Sequence, residues 1–420
     1  MKTGSSATLL IVVVLGLLAA PNLVASGESE QASQAGTQTL SIWTLFTGGE
    51  GSIMADLIAE FNATHPDIEV QEQVIEWAQY YNRLLTSLVG GTAPDIAIIH
   101  LAVLPDYASR GVLTPIDDTL STGFRDLFLD NIIEKAHYDG SLYAIPIDTH
   151  PLVLYYNRSV LREANLVDAA GEVLVPTTWD ELYRYAAQVR ATTGKHGITM
   201  EAMGATLGER WFTALYAQHG GTLTDDAGAL TVDTAAAQRA YETILAPFIS
   251  GTAEGPMTYD DAEALFQSNQ SAFHLNGVWV MAVYPNLEGF EFGVTQLPAV
   301  AGSRPLTWGD SHSLVFPASD DAARLEAALT FGQWFSNRTM EWAAAGHLPV
   351  NESVLASADF LSLPMREDYI TAGQNAVLAP STQGWSRVRE EMWEIAEAAL
   401  LGDITPAAAA QRLATAAEDR

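Results

Sequence analysis

AIPIDTHPLVLYYNR, residues 144–158, is the stretch around which the rest of the chain is organised. Its apolar runs predict two extended pieces, 142–147 and 152–156, separated by the polar tetrapeptide Asp148-Thr149-His150-Pro151. Pro151 has no N–H to give to a sheet ladder, and it pushes His150 toward an extended backbone. An acid, a hydroxyl and an imidazole in succession fit poorly inside one strand of a buried sheet. They fit well where a chain leaves one domain for another and faces a cleft. A polar kink at an ordinary strand end is the alternative reading of the same residues.

The rest of the composition limits what such a chain can do. Its 420 residues suffice for two domains of ordinary size, and a hydrophobic content of 48% supplies their cores. The net charge is −31, from 51 acids against 20 bases, and the lysines are Lys2, Lys135 and Lys195 alone. Such a surface repels phosphate backbones and anionic headgroups, which argues against a nucleic-acid partner. An acid excess with scarce lysine suits a salty habitat or simply reflects genome composition. The absence of cysteine excludes disulfides, thiolate metal sites and cysteine nucleophiles.

The N-terminus carries the features of an export signal. Lys2 precedes an apolar run at 9–20, too short to span a bilayer, and small residues follow at Val24-Ala25-Ser26. Cleavage is expected between Ser26 and Gly27, with an uncleaved anchor as the competing reading. Leu23-Val24-Ala25-Ser26 is similar to the start of a lipoprotein box, but Gly27 stands where the lipidated cysteine would be. Residues 27–38 are polar and read as a flexible linker. The protein is therefore expected to be exported, periplasmic or extracellular, without a lipid anchor on cysteine.

Beyond the linker, strand and helix patterns alternate. Residues 39–45, 68–74 and 95–99 predict strands; helices capped at Ser52 and spanning 79–89 lie between them. That order implies an α/β fold with a mostly parallel sheet. Further on, Thr178 with Glu181 forms a capping box for a helix over 179–190. Helices are also expected at 209–218, 234–249, 260–266, 322–337 and 340–345, and strands at 272–275, 292–297 and 314–316. The tail from Trp385 is helical, restarted by Thr405 and Pro406.

No catalytic motif stands out: there is no nucleophile elbow, zinc-protease helix or phosphate-binding loop. Asp310-Ser311-His312 has the residue types of a triad, but neighbours in an extended chain point to opposite faces. The nine histidines show no i, i+4 pair, so neither a metal site nor a cofactor is expected. Tryptophan is more informative. Trp77, Trp279, Trp308 and Trp385 sit in polar, loop-like settings, whereas Trp43, Trp179, Trp334, Trp342 and Trp393 sit in periodic segments that suggest packing. Aromatic faces beside carboxylates, amides and imidazoles are what a sugar requires, with its flat C–H patches and clustered hydroxyls.

Three segments carry a resemblance: Gly91-Thr92-Ala93-Pro94-Asp95, residues 139–158, and Asn276-Gly277-Val278-Trp279. With GVTQLP, LPVN and the late Gly384-Trp385, the sequence resembles the extracellular solute-binding proteins of carbohydrate ABC importers, the group that includes maltose-binding protein. The resemblance implies a two-lobed periplasmic-binding-protein fold of type II, with a ligand cleft between the lobes and three crossing segments. The crossings are expected near 148–151, 308–313 and 337–340. Lobe one is expected at 39–148 plus 312–336, lobe two at 149–308 plus 337–420. The ligand residues it implies are Thr47, Glu50, Trp77, His100, Asp148 and His150, with Trp211, Trp279 and Trp385 from lobe two and Trp308 and Asp310 at the second crossing. Trp279 and Trp385 are the expected stacking faces. The implied function is capture of a mono- or oligosaccharide by lobe closure, without chemistry, by a monomer that delivers it to a membrane permease. A polyamine or polyol receptor, a sensor partner and a secreted glycan-active enzyme are the alternatives.

Overall fold

A computed structural model describes residues 37–418 apart from 121, 122 and 205; the expected leader and most of the linker lie outside the described residues. The chain begins with strands β1 (Gln38–Thr44), β2 (Ile68–Val74) and β3 (Ile96–His100), β1 pairing in parallel with both of the others. A small hairpin of β4 (His137–Tyr138) and β5 (Ser141–Leu142) leads into β6 (Ala144–Pro146) and then β7 (His150–Asn157). The remaining strands are β8 (His196–Thr199), β9 (Ser271–Gly277), β10 (Phe292–Thr295), β11 (Thr307–Asp310), β12 (His312–Val315) and β13 (Ala376–Val377).

These strands form two main sheets. The first has the order β2-β1-β3-β12-β6, and the second β13-β11-β7-β9-β8, with β10 also on β7. Every residue of β7 is buried. One of its edges takes β9, while the other is shared, β11 pairing with residues 150–151 and β10 with 154–157. The strand therefore starts at His150, two residues before the apolar run predicts. Pro151 is tolerated because at that point β7 has a partner, Gly309, on one side only. The chain crosses between sheets at 147–149, from β6 to β7, and again at Ser311, from β11 to β12. The third passage is drawn out beyond the expected 337–340. Trp342, Ala345 and Val350 belong to the first hydrophobic core, while Met340, Ala343 and Leu348 pack with the second lobe.

Local chemistry explains most helix boundaries. Thr178 Oγ1 accepts from the Glu181 N–H at 3.2 Å, and Glu181 reaches back to the N–H and hydroxyl of Thr177, 2.9 Å each, opening the helix Trp179–Thr193. The first helix, Gly48–Thr64, begins before the expected cap at Ser52, whose hydroxyl instead bonds the Gly48 carbonyl inside the helix. Two of its glycines, Gly49 and Gly51, are a packing requirement. A Cβ on Gly49 would lie 2.5 Å from the Ala282 Cβ, and one on Gly51 2.8 Å from the Phe46 carbonyl. The first lobe's helix thus comes into backbone-level contact with the 3₁₀ turn Val278–Ala282 of the second.

One buried imidazole outside the cleft gives this fold a measurable acid sensitivity. His274 in β9 stacks on Phe266 and donates from Nδ1 to the Thr199 carbonyl at 3.2 Å, leaving Nε2 to accept from Asn276. Burial pushes the ring down to about 3, against a partial upward pull from the Thr199 carbonyl. With a folded value below the unfolded one, its stabilising effect is complete above about pH 6.5 and is lost as pH falls toward 3. The loss amounts to about 1.4 kcal/mol per pH unit inside that window. Thermal melts between pH 6.5 and 4.5 are expected to show a shallower decline for His274→Gln than for the wild type. Parallel slopes would refute this assignment.

Candidate functional site

The carboxyl ends of the parallel strands in the first sheet converge on a cleft of ≈ 670 Å³. The turn after β1 delivers Thr47, Gly48 and Glu50, the turn after β2 delivers Glu76 and Trp77, and β3 ends on His100. His150 and His312, the first residues of β7 and β12, form the floor beside the two crossings. The second lobe supplies Glu201, Arg210, Tyr259, Asp260, Glu263, Trp279 and Trp393. Arg210 lies in a π-helical stretch, Thr206–Trp211, a winding frequent at functional sites.

Aromatic faces dominate one wall. The Arg210 guanidinium carbon is 5.1 Å from the Trp279 ring, 4.9 Å from Trp308 and 5.9 Å from Trp77. Trp77 is 39% exposed, a large apolar surface left open to the cleft. Trp279 is fixed in orientation, since its Nε1 donates to the Tyr259 hydroxyl at 2.9 Å and Asn276 Nδ2 donates to the same oxygen at 3.1 Å. Gly277 makes room for it: a Cβ there would stand 1.9 Å from the indole.

Among the residues expected at the site, Thr47, Glu50, Trp77, His100, His150 and Trp279 line the cleft together. Trp211 and Trp385 do not, and the expectation for both is corrected. Each is 1% exposed and packed in the second lobe's core. Trp385 follows a glycine and looks loop-like in sequence, but it opens the helix Trp385–Leu400, whose buried stripe continues through Val388, Met392 and Ile395. Trp393 falls off that stripe: it packs against the edge of the same core, as its periodic setting suggests, and also lines the cleft. Trp308 is buried behind Arg210. Asp310 is buried at the second crossing, where it accepts from the Ser311 N–H at 2.8 Å and the Ala102 N–H at 3.3 Å. Burial pushes its carboxyl up to about 7, reinforced by Glu209 and opposed by the Ser311 hydrogen bond and Arg389.

Asp148 is also withdrawn from the cleft, and it organises what lies beneath. Its Oδ1 accepts from His150 Nδ1 at 2.9 Å and the His312 N–H at 3.1 Å. Its Oδ2 accepts from His312 Nδ1 and Trp342 Nε1, both at 2.8 Å. Beyond it, His347 Nε2 donates to Glu50 Oε1 at 2.6 Å, and His347 stacks on Trp342. The His150 and His312 rings stack 4.1 Å apart, with His100 4.6 Å from His312. Burial alone would raise the Asp148 carboxyl, but His312, His347 and the hydrogen bonds from His150 and His312 hold it well below the usual carboxylate range. Burial and the neighbouring His312 ring push His150 down to about 3, against the pull of Asp148. Burial, then the His312 and His150 rings and the Arg210 and Arg389 guanidiniums, depress His100. His347 goes the other way: burial would lower it, yet Asp148 and Glu50 on its two sides raise it.

This grouping escaped the sequence because its members come from positions 148, 150, 312 and 347, and an i, i+4 search sees only ligands on one helix. His312 belonged to the tripeptide read, and rejected, as a triad. Tyr259 and Arg210 carry no local signal at all. Asp148→Asn, which removes the charge and turns a donor toward donors, is expected to cost about 3–5 kcal/mol of stability. The check is a lower denaturant midpoint at unchanged slope; an unaltered midpoint would show that the carboxylate is dispensable.

Comparison with known proteins agrees with this architecture. The chain resembles the GacH receptor of Streptomyces glaucescens, a structure solved unliganded and with acarbose, at a TM-score of 0.80 and 22% identity over 91% of this chain and 99% of that one. It also matches the cyclic alpha-maltosyl-1,6-maltose binding protein of Arthrobacter globiformis, at a TM-score of 0.75 and 23% identity over 91% and 98% of the two chains. These likenesses establish the two-lobed periplasmic sugar-binding-protein fold. In sequence it is 23% identical to the maltotriose-binding protein of Pyrococcus abyssi over 368 residues, 84% of this chain and 75% of that protein. The model of the bacterial extracellular solute-binding proteins matches residues 56–367, well over half of the chain, and the protein belongs to that family.

Proposed function

We propose that the protein captures a mono- or oligosaccharide in the interlobe cleft and delivers it, chemically unchanged, to the permease of an ABC importer. The observation that carries this reading is the composition of the cleft wall. Trp77 and Trp279 offer aromatic faces, and Glu50, Asp260, Glu263 and the imidazoles stand between them. Such a site suits the alternating C–H patches and hydroxyls of a sugar. The sugars named for the related proteins from Pyrococcus and Arthrobacter support the same class. The backbone-level approach of Gly49 to Ala282 supports closure of the lobes over the ligand, which stabilises the closed population by contacts that exist only there. Export by a leader cleaved between Ser26 and Gly27, action as a monomer, and the lobe limits given above, with residues 337–350 shared between the two lobes, complete the proposal.

The acids Glu50, Glu76, Glu201, Asp260 and Glu263 on the lining favour a polyamine as the second reading. Calorimetric titration with mono-, di- and trisaccharides and a polyamine separates the two. Saturable one-to-one binding of a sugar recovered intact is expected. Binding of the polyamine alone, or turnover of a glycoside, would overturn the sugar-receptor reading. Within that assay Trp279→Ala is expected to weaken sugar binding by about tenfold or more, since it removes a preset stacking face. Trp385→Ala, by contrast, is expected to cost about 3–5 kcal/mol of folding stability as a core truncation. Normal sugar binding by Trp279→Ala, or an unaltered melt for Trp385→Ala, would reverse these roles.

A further inference from the structure

Beneath the cleft floor, one ligand atom from each of Asp148, His150, His312 and His347 lies within 4.8 Å of the others, and all four residues are buried. The geometry points to a binding site for one divalent transition-metal ion of the zinc class, held by three imidazoles and one carboxylate.

Three observations beyond the grouping support it. The first is spacing. A tetrahedral ion with bonds of about 2.0–2.2 Å places its ligand atoms about 3.4 Å apart. Asp148 Oδ2 is 2.8 Å from His312 Nδ1 and 3.9 Å from His347 Nδ1, and Asp148 Oδ1 is 2.9 Å from His150 Nδ1. These carboxylate–imidazole separations straddle the tetrahedral value, and with all four ligand atoms within 4.8 Å of one another the set closes around an ion by inward shifts of about 1 Å. The second is an unpartnered atom. His347 Nδ1 is buried without a hydrogen-bond partner and faces Asp148, while Nε2 of the same ring is committed to Glu50. In the neutral ring a Nε2–H donated to a carboxylate leaves the lone pair on Nδ1, the arrangement by which metal-bound histidines are commonly fixed, and in the imidazolium the ion takes the place of the Nδ1 proton. The third is outer support. Trp342 Nε1 and the His312 N–H already anchor the two oxygens of Asp148.

The donor set narrows the ion. Imidazole with a single carboxylate suits zinc, copper or nickel, whereas calcium and magnesium require mostly oxygen. Binding replaces the Nδ1 protons of His150 and His312, which move to Nε2 or leave to solvent, and releases to solvent any Nδ1 proton of His347, whose Nε2–H stays on Glu50. Both rings line the cleft, so occupancy would set which of their nitrogens can donate to a bound solute. Because Asp148 and His150 flank the first crossing, His312 follows the second and His347 lies on the third, one ion would tie together all three connections.

The test uses the full chain as purified, stripped with a chelator, exposed to zinc and passed through a desalting column. Elemental analysis is expected to find about one zinc per chain, with a higher Tm in zinc than in chelator. His347→Gln and His312→Gln are each expected to weaken zinc binding by at least about tenfold, and Glu50→Gln by about 10–100-fold. Replacement of zinc by cobalt reports tetrahedral coordination in its visible spectrum, a readout independent of solute binding. Wild-type protein that retains no zinc and melts identically with and without it would overturn the proposal, whatever the variants do. Equal affinity in wild type and all three variants would also overturn it by placing the ion elsewhere. Sugar titration of the stripped protein is a separate measurement, so the metal site and the sugar-receptor reading can each fail alone.

Discussion

A fully buried carboxylate is tolerable only when its lone pairs are occupied, and Asp148 meets that condition with donors drawn from three separate parts of the chain. His150 lies two residues away, His312 enters from the second crossing, and Trp342 comes from the short helix Thr339–Trp342 on the third. The segments that connect the lobes are therefore held at one point by charge-assisted hydrogen bonds in a water-poor setting. The surrounding histidines follow from the same constraint. His150, stacked on His312, is pushed down by burial, and His347, flanked by two carboxylates, is held above an ordinary histidine.

This anchor also explains why the cleft lies where it does. The strands of the first sheet end at it, and their carboxyl ends open toward the second lobe, where β7 begins at His150 and the turn after β9 carries Trp279. Rigid strand ends position the imidazoles, while the aromatic wall is built from side chains fixed by their own contacts: Trp279 by Tyr259 and Gly277, Arg210 by the indoles around it. A solute receptor needs that combination of a fixed floor and two walls that meet only when the lobes are together. The contact of Gly49 with Ala282 is where the walls meet, and glycine is what permits it.

Much of the fold was legible beforehand because it depends on local rules. The capping box at Thr178, the cap at Thr405 and the alternation over 68–74 each specify an element through residues a few positions apart. The crossover at 148–151 was legible too, since a polar interruption between two apolar extended runs has few places to go in a buried sheet. Errors arose where the local rule and the packing disagree. Pro151 enters a strand because its neighbour on one side is missing, and Ser52 lies inside its helix because Gly48 can start it earlier. Met340, Trp342 and Leu348 divide between the two cores, a feature no local pattern encodes.

The sequence alone determined the α/β class and the two-lobed family resemblance, and that resemblance implied Thr47, Glu50, Trp77, His100 and His150, which the fold gathers along one cleft. A parallel strand delivers whatever follows it to the same edge of the sheet, which is why Thr47, Glu50, Trp77 and His100 meet there, whereas His150 arrives as the first residue of β7. Only the tertiary structure decided which tryptophans stack in a core and which face the cleft. Trp385 and Trp393 share one helix, and their fates depend on about 80° of rotation around its axis. Only the tertiary structure, likewise, assembled Asp148, His150, His312 and His347. Their proximity arises from three chain crossings that meet in space, and separation along a sequence carries no trace of such a meeting.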